Sequence, residues 1–533
     1  MIQMVLLSKS AAIHSRKPQL SKHIKNVREI SRTQHRLKDQ SATPLVDALR
    51  RCALRQNAAF YTPGHKRGQR LTAYQHQLFG SKAFRADLPE LPELDNLFAP
   101  EGVILQAQQL AAAAFGAEQT HFLSNGSTCG IEAAILATCG PGDKIILPRN
   151  AHVSAISGLI LSGAIPIYIS PTYSSTWEIP LQVTPERVRE ALERHSDAKA
   201  VLIVSPTYEG VCSNLSAIAQ ITHSFNCPLI VDEAHGAHFA FHAELPTSAL
   251  SAGADITIQS IHKTLSAFTQ AAMLHMQGDR IDRNKLSKSL QLTQSTSPSY
   301  LLLGSLDAAR HQMATEGKTL MDRTLKLADE AAYRLSQLPV LKVLQPHADS
   351  GNIEEISGDR TRLTVDVSGL NLIGFAADEI LHTQYQVTAE LPSLSALTFI
   401  ISIGNTQADI DRLIHGFKQL CQSYQPPSAA PCESIHQKQS FEFTDDNTSQ
   451  PTTTVLTPRE AFFAKSRSVS AAQSIGCTSA ETICPYPPGI PAILPGEKIT
   501  AEAIAALKST LQAGGIVTGC NDPTLDSILI VDS

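Results

Sequence analysis

The chain has 533 residues, too many for one hydrophobic core, so two or three packed domains with linkers are expected. Its formal net charge of −5, with 43% hydrophobic and 17% charged residues, fits an ordinary soluble protein and is too small to argue for nucleic acid or an acidic partner. No segment approaches the roughly 20 uninterrupted apolar residues of a membrane helix, and none of the ten cysteines forms a C-x-x-C pair, which reads as a cytoplasmic chain with free thiols and no metal site.

Residues 1–41 form a basic opening: the first 40 positions hold nine Lys or Arg and only the acids Glu29 and Asp39. Its composition suits a disordered extension, or a start codon placed too early, better than the alternative of an organelle-targeting leader. A globular pattern begins near Ser41. Thr43-Pro44-Leu45 opens a helix with proline in its first turn, and 103–115 (VILQAQQLAAAAF) is a helix by propensity that stops at Gly116. From about 120 to 275, helical stretches alternate with short apolar runs: Ala200–Val204, Pro228–Val231 and Asp255–Ile258. Such β-branched runs suit strands buried on both faces of a mainly parallel sheet, hence an α/β domain over 42–299. After Pro298 a long helix over roughly 300–337 and strand-like runs at Thr361–Val367 and Thr398–Ile403 indicate a smaller α+β domain, 300–424. Residues 425–454, poor in apolar residues, read as a linker, and 455–533 as a small terminal domain.

Four segments carry residue types that do chemistry. In Leu123-Ser124-Asn125-Gly126-Ser127-Thr128-Cys129-Gly130, small polar residues and glycines open a helix whose free N–H groups suit a phosphate; a plain N-cap is the ordinary alternative. In Pro148-Arg149-Asn150-Ala151-His152, the imidazole could stack on a flat ring or serve only the local structure. Asp232, in Val231-Asp232-Glu233-Ala234-His235, follows a strand, where a carboxylate can pair with a protonated pyridine nitrogen or merely cap a helix. Lys263, in Ser260-Ile261-His262-Lys263-Thr264, also follows a strand, where ligands of open α/β sheets bind and where a lysine of lowered pKa could form a Schiff base. Each is weak singly; their order over about 140 residues is what joins them.

These segments resemble the Orn/Lys/Arg decarboxylase family of fold type I pyridoxal 5′-phosphate (PLP) enzymes, the aspartate-aminotransferase-like fold, and most of all its shorter members without an N-terminal wing domain. The likeness runs from about 42 to 530. It includes Tyr61-Thr62-Pro63-Gly64-His65-Lys66, Leu94-Asp95-Asn96-Leu97, Pro100-Glu101-Gly102, Pro141-Gly142-Asp143-Lys144, and the tail Pro485–Pro491 with Pro495-Gly496-Glu497.

The resemblance implies roles. Lys263 would hold PLP, Asp232 would bind its ring nitrogen, and His152 would stack on the ring with Ala234 near the other face. Ser127 and Thr128 would bind phosphate, helped by Ser260 and His262, and Thr207 would sit near the ring hydroxyl. His65 lies in a segment that would cover the site, in one arrangement from across a dimer; a homodimer or higher homo-oligomer is expected. The reaction implied is decarboxylation of lysine, ornithine or arginine through aldimine and quinonoid stages. Glu390 is a candidate for the substrate's distal cation, with an ordinary surface acid as the alternative. Transamination, aldol cleavage and a non-catalytic regulatory role use the same constellation; the Thr62–Lys66 segment and the 485–491 tail argue for a decarboxylase.

Overall fold

The computed structural model describes residues 39–344, 357–424, 454–486 and 489–532. The basic opening up to residue 38 and nearly all of the expected linker lie outside the described residues.

Seven strands form the central sheet: β1 Gln119–Leu123, β2 Lys144–Pro148, β3 Ile165–Ile169, β4 Ala200–Val204, β5 Leu229–Asp232, β6 Ile256–Gln259 and β7 Ala272–Met276. They lie in the order β1-β7-β6-β5-β4-β2-β3. Only β7 runs against its neighbours; the other pairings are parallel. The alternation of side chains explains why the central strands are apolar throughout. Leu202, Ile230 and Ile256 pack into a core with Ile131 and Ile135 of one helical layer, whereas Val201, Ile203, Leu229 and Val231 pack into a second core on the opposite face. β1 runs in the same direction as β6, so the carboxyl ends of β1, β2, β4, β5 and β6 open on one side, and their following loops carry the four chemistry-bearing segments.

The expected long helix spans Tyr300–Ser336. It holds two cores at once: Leu303, Leu306, Ala309, Met313, Met321 and Leu325 pack with the large domain, while Leu327, Ala328, Ala331 and Leu335 pack with the small one. The cores therefore change over between Leu325 and Leu327, inside the helix rather than at its start. Near its beginning, buried Asp307 accepts from the N–H groups of Leu45 (3.0 Å) and Val46 (3.3 Å), the unpaired donors that open the helix Pro44–Leu54. Arg310 pairs with Asp307 and donates to the Ala42 carbonyl.

The small domain carries a four-stranded sheet of β8 Lys342–Val343, β9 Arg362–Asp366, β10 Leu391–Pro392 and β11 Ala396–Ile400, in the order β8-β9-β11-β10. The strand expected at Thr398–Ile403 begins earlier and ends at Ile400, because the Asn405 side chain accepts from the Ser402 N–H and folds the chain into a turn.

The terminal domain has its own core around Ile483, Ile493, Ile504, Leu507 and Ile528. It docks on the large domain through Arg149, which donates to the carbonyls of Pro491 (2.8 Å) and Ala492 (3.1 Å) and pairs with Glu497 at 3.0 Å. Both partners are buried, with side-chain exposures of 7% and 3%. Removing one member of such a pair strands the other charge away from water. Arg149→Met is expected to cost about 3–5 kcal/mol of stability, read as a lowered denaturation midpoint; an unchanged midpoint would show that the pair is not what holds the terminal domain.

Candidate active site

The cleft at the carboxyl end of the sheet is lined by Ser127, His152, Thr207, Asp232, Ala234 and Lys263, among others. Six residues named from sequence thus meet in one place, drawn from five different strand-ends. The reason is topological: in an open α/β sheet the strand-following loops converge there, while the strands themselves are consumed by the core.

Lys263 lies in the short helical turn Ile261–Thr264, just past β6. Its Nζ is 2.9 Å from Nε2 of His235 and 5.7 Å from the ring centre of Tyr208. Burial pulls its pKa below that of an ordinary lysine; the Arg362 charge adds to this, and Asp232 and Glu390 oppose it. Asp232, the last residue of β5, is 7% exposed, and its Oδ1 accepts the Ala234 N–H at 3.1 Å. That bond fixes the carboxylate's direction and presents Ala234 to the cleft.

His152 caps the helix Val153–Ser162: its Nδ1 accepts the Ser154 N–H at 3.2 Å, which leaves the rest of the ring for the cleft. Burial holds this imidazole below its usual pKa, with Lys263 adding to that and Asp232 opposing it. The segment after residue 488 passes close by. A side chain at Gly489 would come within 3.9 Å of the His152 ring, and Ile490 lines the cleft, so the terminal domain forms part of its wall.

The helix Gly126–Thr138 aims its N-terminus at the same space. Gly126 takes a φ of +76°, a conformation that turns the chain from β1 into the helix and that a side chain would resist. Ser127 follows, and its hydroxyl accepts from that of Ser260 at 2.9 Å. The two hydroxyls and the free helix N–H groups form a donor cluster suited to a dianionic phosphate. Thr128 is exposed at the next position. His262 is half-buried and donates from Nδ1 to the Ala271 carbonyl at 3.1 Å; it is not among the residues lining the cleft. Thr207 is pinned in a turn, its hydroxyl accepting the Val211 N–H at 3.2 Å.

Two further residues stand apart. His65 pairs with Asp87 at 3.1 Å and packs edge-on against Phe84, outside the cleft of its own chain. Glu390 is exposed just before β10, yet its charge reaches Lys263, His262 and Arg362.

Sequence reasoning misses Tyr208, Glu209, His235 and Arg362. Tyr208 adjoins Thr207 and His235 stands in the Asp232 segment, and their rings meet at 4.5 Å behind the lysine. Arg362 carries no signal, because nothing local in a sequence tells that a small-domain strand delivers a buried guanidinium to a loop 127 residues away.

An amine whose pKa burial lowers, a carboxylate on the neighbouring strand-end, an imidazole that burial holds below its usual pKa and a hydroxyl-lined helix N-terminus match the groups that PLP requires. The fold and this site define a PLP-dependent enzyme of fold type I. The profile of the Orn/Lys/Arg decarboxylase major domain matches residues 43–404, and that of the family's C-terminal domain matches residues 441–514. The chain belongs to the Orn/Lys/Arg decarboxylase family and is a PLP-dependent amino-acid decarboxylase.

It is 38% identical to the arginine decarboxylase of Bacillus subtilis over 492 residues, covering 92% of this chain and 98% of that one. It is 26% identical to the lysine decarboxylase LdcA of Pseudomonas aeruginosa, covering 86% of this chain and 74% of that one. The solved structure of lysine decarboxylase A from Pseudomonas aeruginosa shares the fold with a TM-score of 0.76 at 23% identity, over 98% of this chain and 84% of that chain.

Proposed function

We propose that the chain removes the α-carboxylate of a basic amino acid, with arginine first among lysine, ornithine and arginine, and releases the corresponding amine: agmatine, cadaverine or putrescine. The observation that carries this is the shared cleft of Lys263, Asp232 and Ser127 in a chain of this family. The order of substrates rests on the relatives: those at 35–38% identity are named arginine decarboxylase, whereas the lysine decarboxylases fall at 26% and below.

In this reading Lys263 Nζ is the amine that would hold the cofactor, and burial, by lowering its pKa, favours the nucleophilic form. Asp232 would hold the ring nitrogen and its proton. His152 would stack on the ring, with Ala234 near the other face. Ser127 and Ser260, with Thr128 and His262, would bind the phosphate, and Thr207 would lie near the ring hydroxyl. Bound PLP supplies the sink for the electron pair left when carbon dioxide departs. Lys263 or His152 then returns a proton to the α-carbon. Glu390 is the carboxylate proposed for the substrate's distal cation. A release assay with carboxyl-labelled arginine, ornithine and lysine side by side tests the reading: labelled carbon dioxide with the matching amine is expected, fastest from arginine. A keto acid with no carbon dioxide would point to transamination instead.

We also propose a homodimer, cytoplasmic and serving polyamine synthesis, in which His65 and its segment cover the partner's site. The helix Ala73–Ala86 buries none of its residues, and around it Phe60, Tyr74, Leu78 and Phe79 are 94%, 84%, 76% and 59% exposed. Clustered exposed aromatics of this kind are costly unless another surface covers them. Sedimentation of the full chain at micromolar concentration is expected to give twice the 57.4 kDa chain mass; a fully active monomer would contradict the proposal.

A further inference from the structure

The buried pair behind the lysine constrains where a proton sits. Arg362 begins β9 of the small domain, and its side chain is 0% exposed. The chain at Gly210 lies flat against its stem: a side chain there would meet Arg362 Cβ and Cγ at 2.7 Å, and φ is +90°. Thus held, Arg362 donates from Nη2 to the His235 carbonyl at 3.0 Å and faces His235 Nδ1 at 3.2 Å. Its Nε forms an ion pair with buried Asp359 at 3.7 Å, beyond hydrogen-bond distance, and Nη1 has no hydrogen-bond partner among the described residues; Nη2 is the nitrogen that meets His235.

A guanidinium has donors only. Nδ1 of His235 must therefore accept, and a neutral imidazole then carries its single proton on Nε2. A doubly protonated ring is opposed from every side: His235 is 5% exposed, and burial, Lys263, Arg362, His152 and His262 all hold its pKa well below that of an ordinary histidine. Nε2 lies 2.9 Å from Lys263 Nζ. Two N–H groups cannot point at each other across that distance, so an Nε2–H requires a lone pair on Nζ.

We propose that Arg362 acts as a positioning residue that fixes His235 in its Nε2–H tautomer, so that His235 donates to Lys263 Nζ and favours the neutral amine that attacks a carbonyl. This deepens, and rests on, the reading of Lys263 as the cofactor-bearing lysine. The other groups facing Nζ do not decide the matter alone. Asp232 and Glu390 favour an ammonium; burial, first of all, and the Arg362 charge disfavour it. Burial raises the pKa of Tyr208 and of Glu209 and lowers that of His152 and of His262. Among the described residues, the donor at Nε2 is the one hydrogen-bonding contact that distinguishes amine from ammonium.

Two measurements test this on the full-length chain before PLP is added. The imidazole carbon and nitrogen resonances of His235, identified by their loss in His235→Asn, report which nitrogen is protonated in the unaltered protein. The Nε2–H form is expected between about pH 7 and 9, above the ordinary histidine pKa of about 6.5; an Nδ1–H form overturns the proposal. The second reads the rate at which an amine-acylating reagent labels Lys263, followed by peptide mass spectrometry across pH. Arg362→Met is expected to raise the midpoint by about one pH unit or more, which slows labelling near pH 8 about tenfold, and Arg362→Lys to restore most of the rate. In a His235→Asn background the Arg362→Met shift should shrink severalfold. An undiminished shift there would assign the effect to charge alone and overturn the tautomer argument, as would an unshifted midpoint in Arg362→Met. If instead the unaltered chain never develops visible absorbance with PLP, the functional reading fails while the labelling result stands.

Discussion

Lys263→Ala is expected to lower decarboxylation by more than about a thousandfold, since both the nucleophile and a source of the returning proton are lost. It should also abolish the visible absorbance of lysine-bound PLP, while PLP held without a covalent bond remains removable by dialysis. The fold should survive. The side chain fills part of a cleft rather than the core, and among the described residues its one direct hydrogen bond is to His235. Retention of both activity and absorbance in the variant would show that another lysine carries the cofactor.

Asp232→Asn is the second large effect. The substitution keeps shape and leaves an oxygen to accept the Ala234 N–H, but removes the negative charge at the end of β5. Without that charge the ring nitrogen loses its proton's partner, and the ring accepts electrons poorly. Turnover is expected to fall about a hundred- to a thousandfold, in the range seen when one preorganised electrostatic partner is removed from a dry site. Binding of PLP through the phosphate cluster around Ser127 and Ser260 should weaken far less. The effect belongs in kcat rather than in substrate KM, because the charge acts on the reacting ring and not on the substrate's distal end. An Asp232→Asn chain with unaltered kcat would remove the carboxylate from the mechanism.

What the amino-acid sequence discloses and what it withholds have physical causes. The strands at Ala200–Val204 and Leu229–Val231 are legible because they are buried on both faces and leave unbroken apolar runs. The residues just after them inherit a predictable location, which is why Asp232 and Lys263 can be placed at strand-ends from their neighbours along the chain. The small-domain strand is harder: the Thr398–Ile403 run is apolar for the most part, but a turn built on Asn405 ends the strand at Ile400, and hydrophobicity does not register a turn. The division of Tyr300–Ser336 between two cores is hidden for a related reason. A helix with one continuous apolar stripe looks the same whether one or two partners cover it.

The site shows the same split. Residues close along the chain to a motif are legible, whereas Arg362, reached only through tertiary packing, is not. His235 stands in plain view beside Asp232, but its meaning depends on the guanidinium behind it, and that is a fact of three dimensions. Glu390 and His65 are the positions where sequence and a single chain say least. One is exposed just before β10, and the other pairs with Asp87 outside its own cleft.

The most direct test of the whole account is to load the full chain with PLP, reduce it with borohydride, digest it and locate the pyridoxyl group by mass spectrometry. The group is predicted on the peptide containing Ser260–Thr264, with the added mass on Lys263 and none elsewhere at stoichiometric level. Stoichiometric modification of any other lysine, or none at all, would contradict it.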